Sequence, residues 1–183
     1  MPAPTFSARR RTAAVTALGG LAAALALTVT PADARAVAVS CGTAGATTFQ
    51  PGLHLFPEPH DVSFSGTQRP CADYSGRGIT AATLVADFSH VTLNCVINQK
   101  INGSGPARIT WRTNGGTFTS TAVITIENSV LNNVTVSGTV TDGEFAGRHF
   151  SGRFATDLSR GVVGCPTPNG LTEAPFAGYF TIS

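Results

Sequence analysis

Thr117-Phe118-Thr119-Ser120-Thr121-Ala122-Val123-Ile124-Thr125-Ile126-Glu127 is the stretch whose reading decides the fold. Phe118, Ala122, Ile124 and Ile126 fall on one side of a period-two pattern, and Thr117, Thr119, Thr121 and Thr125 on the other. Val130–Thr141 repeats it, with Val130, Val134, Val136 and Val140 set against Asn133, Thr135, Ser137, Thr139 and Thr141. Phe176–Ser183 does so again, with Phe176, Phe180 and Ile182 on the apolar side. One apolar and one polar face is the mark of an antiparallel sheet with a single buried side. A parallel sheet covered on both faces reads differently.

Outward from these segments, Ala46–Phe49, Gly52–Phe56, Asp61–Thr67, Ile79–Phe88, Val91–Ile97, Ala107–Arg112 and Arg148–Leu158 read as further strands. Turn formers at Gln50-Pro51-Gly52, Asn102–Pro106, Asn114-Gly115-Gly116 and Asp142-Gly143 separate them. No window carries capped 3.6-residue spacing. Val62-Ser63-Phe64-Ser65-Gly66-Thr67 is echoed by Val134-Thr135-Val136-Ser137-Gly138-Thr139, and Phe150-Ser151-Gly152 is a shorter relative. Glycine weakens a strand interior unless the sheet must bend or coil there. The expectation is therefore an all-β domain, an antiparallel meander closing into a small barrel. A two-sheet β-sandwich is the alternative.

Composition agrees and excludes much else. Among 183 residues, 42% are hydrophobic and only 12% charged, about half the usual charged share. That excludes a coiled coil and a charge-rich disordered tail, and it denies nucleic acid the dense basic face it requires. Twenty Gly and eleven Pro suit many short strands joined by turns.

The first segment reads as a leader and not as part of the fold. Arg9, Arg10 and Arg11 open it without an acid, and Thr12–Thr30 is an uncharged Ala- and Leu-rich run ended by Pro31. Ala-x-Ala sites follow over Ala32–Ala38. This is the pattern of a secretory signal peptide over residues 1–36, leaving a single domain at 37–183. Gly19, Gly20 and several threonines make the run a poor membrane span, so no stable membrane insertion is expected after cleavage. Lipid attachment at Cys41 would leave an odd cysteine, and Asp33 and Arg35 separate Cys41 from the apolar run. Cleavage after Ala36 removes four of the twelve basic residues and one of the ten acids, leaving eight against nine, net −1. Nothing steers such a chain towards nucleic acid or an anionic membrane.

Cys41, Cys71, Cys95 and Cys165 all follow the leader, and an even count in an exported chain reads as two disulfides. No two lie two to four residues apart, as the usual zinc-ligand pairs do. Of three connectivities, Cys41–Cys71 and Cys95–Cys165 are favoured. The first ties the mature N-terminus to an early hairpin, and the second pins a long C-terminal loop to a central strand. Each should contribute ~3–4 kcal/mol through loop closure.

Cys41-Gly42-Thr43, Thr48-Phe49-Gln50-Pro51-Gly52-Leu53, Ser65-Gly66-Thr67 and Cys71 resemble the opening of a family of small uncharacterised secreted β-proteins of actinobacteria. The similarity extends loosely through Gly138–Gly147 to the end of the chain. Lys100, the sole lysine, fits GC-rich coding. The resemblance implies export and a β fold, and it brings no activity with it.

Signatures of chemistry are sparse. There is no Gly-x-Ser-x-Gly elbow, no His-Glu-x-x-His and no phosphate loop. His54, Glu58, His60 and Asp61 form the densest polar cluster, but Pro57 and Pro59 hold it extended, so a solvated loop is expected and no metal or cofactor. His90 and His149 read as surface or rim histidines. Arg148, Arg153 and Arg160 with Asp142, Glu144 and Asp157 read as exposed ion pairs. Trp111, in phase with Ile109, reads as core. The sequons at Asn102 and Asn133 carry no weight in a bacterial chain. No catalytic residue is assigned. The expectation is a secreted, extracellular, non-catalytic binding or structural module of unknown partner. One alternative is a lyase- or isomerase-type barrel enzyme acting on a small ligand, which needs a pocket with converging polar groups. Another is a protease inhibitor presenting Gln68-Arg69-Pro70-Cys71 or Cys165-Pro166-Thr167-Pro168-Asn169.

Overall fold

The computed structural model describes residues 36–95, 102–130, 133–159 and 163–183. Apart from Ala36, the segment 1–36 that the sequence reads as a leader lies outside them, as do Lys100 and Arg160. The described residues form nine antiparallel strands: β1 (Val39–Leu53), β2 (Glu58–Thr67), β3 (Arg69–Asp73), β4 (Ile79–Leu93), β5 (Ser104–Thr113), β6 (Gly116–Val130), β7 (Asn133–Gly143), β8 (His149–Thr156) and β9 (Leu171–Ile182). Each pairs with its successor from β3 to β9, and β9 returns to β1 through Val39↔Ile182 to Leu53↔Leu171. The sheet thereby closes into a barrel, and the sandwich alternative falls away.

Nine strands make eight staves. Both β2 and β3 pair with β1 on one side and β4 on the other. They act as one stave interrupted at Gln68. Eight staves enclose an interior that side chains just fill, or that leaves room for one small ligand. Inward positions carry the apolar residues that the period-two pattern marked: Ala122, Ile124 and Ile126 on β6, Val134, Val136 and Val140 on β7, Phe176, Phe180 and Ile182 on β9. Outward threonines and serines pair across strands, as in Ser151–Thr181 at 2.8 Å and Thr121–Thr141 at 3.3 Å.

Two Ser-Gly steps mark points of close backbone approach. A Cβ on Gly66 would lie 2.5 Å from the Leu84 carbonyl oxygen, and one on Gly138 would lie 2.0 Å from that of Val123. Only glycine lets neighbouring strands coil this tightly.

Several strand boundaries differ from the sequence reading: Ser104-Gly105-Pro106, expected within a turn, opens β5, and the expected strand Gly52–Phe56 stops at Leu53. Gln50-Pro51-Gly52 is not a turn: it lies inside β1, where the pairing with β9 shifts register between Thr48 and Leu53. Proline lacks an N–H and is accommodated at such an irregularity. Ile79–Phe88 joins the start of the expected Val91–Ile97 strand as β4, with His90 at φ 57° marking the kink; β4 ends at Leu93, and Val96 and Ile97 lie outside the described residues. Of Gln68-Arg69-Pro70-Cys71, the segment an inhibitor would present, all but Gln68 lie in β3.

Both disulfides join the favoured partners, Cys41 with Cys71 and Cys95 with Cys165. Cys41 and Cys71 sit opposite each other in the β1–β3 ladder. Cys95 follows β4, its N–H donating to the His54 carbonyl at 2.8 Å, and reaches Cys165 in the β8–β9 connection. Coupled thiols of this kind belong to an oxidising, extracytoplasmic compartment. Among the described residues no helix is long and apolar enough to cross a membrane.

Candidate functional site

The barrel interior is filled unequally along its axis. At the end where β5 turns into β6, Trp111 packs against Phe118, Phe145 and Phe180 with ring centroids 5.4–6.4 Å apart, and Phe180 stacks on Phe150 at 5.5 Å. Trp111, Phe150 and Phe180 are essentially fully buried. These rings plug that end.

Towards the opposite end Thr47, Val62, Ala86, Val134 and Val136 leave unfilled part of the space among five phenylalanines, Phe49, Phe64, Phe88, Phe154 and Phe176. Phe64 meets Phe88, Phe154 and Phe176 at 6.0, 6.1 and 5.2 Å. Between them lies a cavity of about 80 Å³. One water requires only ~10–15 Å³ of such space.

Thr47, Asn94 and Thr156 are the polar members of the lining, and no acid, base, histidine or cysteine belongs to it. Thr47 is 1% exposed, and its Oγ1 has no hydrogen-bond partner. Thr47 stands opposite Ala174 in the β1–β9 ladder, while Thr156 stands opposite Phe176 in the β8–β9 ladder. The two threonines therefore flank the same short stretch of β9.

The β8–β9 connection closes against β1 at this end. A Cβ on Gly52 would lie 2.2 Å from the Asn169 carbonyl oxygen, and Gly170 adopts φ +65° where it meets Gly52. Thr167 ties the connection to itself, its N–H and hydroxyl donating to the Gly164 carbonyl at 3.0 and 2.6 Å. Cys165 is buried within it.

The polar clusters noted in the sequence do not converge. Strand alternation turns His60 inward and Asp61 outward. His60 hydrogen-bonds through Nδ1 to the Pro51 carbonyl at 2.7 Å, and its buried Nε2 has no partner; it does not line the cavity. Asp61 accepts the His90 N–H at 3.1 Å, and His54 remains in the β1–β2 loop. Among the described residues no three His, Cys, Asp or Glu side chains come together. Glu144 pairs with Arg77 at 2.9 Å, beside a shallow depression that Tyr74 and Arg148 also border, and Arg153 lies exposed opposite Tyr179. Trp111 is core, as its phase with Ile109 predicts. Gln68–Cys71 is stitched into or beside β3, and Cys165–Asn169 is coiled into tight turns.

Sequence reasoning missed Thr47. The available signal was its spacing: Thr43, Thr47 and Phe49 share the inward phase of one strand, where a hydroxyl is out of place.

No protein-family model, curated protein or solved structure matches this chain.

Proposed function

We propose that this chain is a secreted binding protein that holds one small apolar molecule in its barrel lumen. The observation that carries the reading is the cavity among Phe64, Phe88, Phe154 and Phe176, lined almost wholly by hydrocarbon. An apolar cavity of this kind stays dry and binds small hydrophobes, because a ligand regains the dispersion contacts that the lining lacks. The space suits a compact molecule of on the order of ten non-hydrogen atoms. The lining offers no acid or base, which favours binding over a lyase or isomerase reaction. Export is supported by the leader pattern over 1–36 and by the paired thiols. The likeness to small secreted actinobacterial β-proteins points the same way.

The test is calorimetric titration with compact hydrocarbons, together with cavity-filling variants. Ala86 and Val134 both line the space. Ala86→Leu and Val134→Phe should each abolish binding while the protein stays folded by thermal unfolding. Unaltered affinity in both folded variants would place the ligand elsewhere and overturn the reading.

A further inference from the structure

Thr47 identifies the class of ligand more narrowly. We infer that the lumen selects a molecule with one neutral hydrogen-bonding group, an alcohol or a ketone, held against Thr47 Oγ1 while its hydrocarbon part meets the phenylalanines. This inference rests on the lumen-binding reading above.

A hydroxyl can donate one hydrogen bond and accept two. Thr47 Oγ1 makes none, in a residue 1% exposed that lines the cavity. Burying a polar group without a partner is costly, and buried polar groups in folded proteins are nearly always satisfied. Thr47 faces Phe64 of β2 on one side and Ala174 of β9, which carries only a methyl group, on the other, so the room beside it lies towards β9. Thr156, opposite Phe176 on the other flank of β9, is the second hydroxyl of the lining. A ligand hydroxyl or carbonyl placed there completes the bond that the protein leaves open.

The lining also excludes ions. No lysine, arginine or histidine borders the cavity to balance a carboxylate, and no acid borders it to balance an ammonium group. An ionised ligand would be desolvated without compensation. The selected group is polar and uncharged.

Four ligands of one shape test this: tert-butylcyclohexane, 4-tert-butylcyclohexanol, 4-tert-butylcyclohexanone and 4-tert-butylcyclohexanecarboxylate at neutral pH. Their affinities are read by displacement of a solvatochromic dye from the wild-type protein and from Thr47→Val, Thr47→Ser and Thr43→Val. Comparing variants within each ligand removes the differences in their water solubility. Thr47→Val should weaken the alcohol and the ketone about tenfold, the usual worth of one neutral hydrogen bond. It should leave the hydrocarbon unchanged or tighter. Thr47→Ser, which keeps the hydroxyl, should retain the wild-type pattern even if Thr47→Val folds poorly. Thr43→Val removes a hydroxyl outside the cavity lining and should change none of the four affinities. The carboxylate should not bind. Equal effects of Thr47→Val on alcohol and hydrocarbon, or a carboxylate that binds as well as the alcohol, would overturn the inference and leave the lumen reading intact. If none of the four binds, the lumen reading itself fails.

Discussion

Trp111 donates its indole N–H to Ser120 Oγ at 2.8 Å, a diagonal contact across the β5–β6 ladder in which Trp111 faces Phe118 and Ile109 faces Ser120. Ser120 is itself 1% exposed, and its own O–H donates a hydrogen bond to the Glu144 carbonyl. One hydroxyl thus satisfies a buried indole and anchors the β7–β8 connection, which carries Phe145 onto the Trp111 ring. Ser120→Ala leaves the indole N–H buried without an acceptor and should cost about 1–3 kcal/mol. Urea unfolding followed by Trp111 fluorescence measures it. A loss below a few tenths of a kcal/mol would show that the plug is held by ring packing alone.

The two disulfides should differ in what they hold. Cys95 and Cys165 are 70 residues apart, and Cys41 and Cys71 only 30. Loop-closure entropy assigns the longer link ~4.4 kcal/mol and the shorter one ~3.6 kcal/mol. The difference in function should be larger than the difference in stability. Cys41–Cys71 joins strands already hydrogen-bonded to each other, whereas Cys95–Cys165 pins the β8–β9 connection at the cavity end of the barrel. Cys95→Ala/Cys165→Ala should therefore release a bound hydrophobe faster, and Cys41→Ala/Cys71→Ala should leave the release rate near wild type. Stopped-flow dissociation of the dye on both double variants decides it. Equal rates would mean that the connection does not control exit.

Asp73 sets the acid limit of one turn. Its desolvation raises the carboxyl pKa, but hydrogen bonds from the Ser75 hydroxyl and N–H and from the Ile79 and Gly78 N–H groups together outweigh that and hold it below the usual value. The folded pKa lies below the unfolded one, so the stabilisation is fully present above the unfolded carboxyl range and disappears as pH falls through the folded value. Asp73→Asn should accordingly unfold at a lower temperature than wild type at neutral pH. The two melting temperatures should converge on acidification below the ordinary carboxylate range of about 4. A gap that persists at low pH would assign the effect to the shape of the turn and not to its charge.

How far the sequence reached depends on which physical signal each element carries. Strands β6, β7 and β9 were legible because each has an apolar inner face set against an outer face, Thr- and Ser-rich on β6 and β7 and mixed on β9, and period two survives single exceptions such as Ser120. The Ser-Gly steps at Gly66 and Gly138 announced coiling because the cost of glycine in a strand demands a geometric reason. β3 was hidden: five residues containing Pro70, with none fully buried, show no alternation, and only its pairing to β1 and β4 makes it a strand. Pro51 misled for a related reason, since a proline inside a bulged strand looks like one in a turn. The cavity was illegible in principle. Whether Ala86, Val134 and Thr47 occupy the same layer depends on strand tilt and stagger, which follow from closure of the whole ring and not from any local pattern.

Thr43 provides the final test, because it shares the chemistry of Thr47 without the cavity. It faces inward on β1, is 4% exposed, and its Oγ1 also lacks a partner. A Cβ on Gly66 would stand 3.1 Å from that oxygen, so the hydroxyl abuts the β2 backbone and not open space. Valine keeps the shape and replaces an unsatisfied hydroxyl by a methyl, which removes the desolvation penalty and gives nothing up. Thr43→Val should therefore stabilise the protein by about 1 kcal/mol, a rise of roughly 3 °C in melting temperature for a domain of this size. Differential scanning calorimetry gives the answer directly. A fall in melting temperature would mean that Thr43 holds a buried water, and Thr47 would then have to be tested for the same occupant before its hydroxyl is assigned to a ligand.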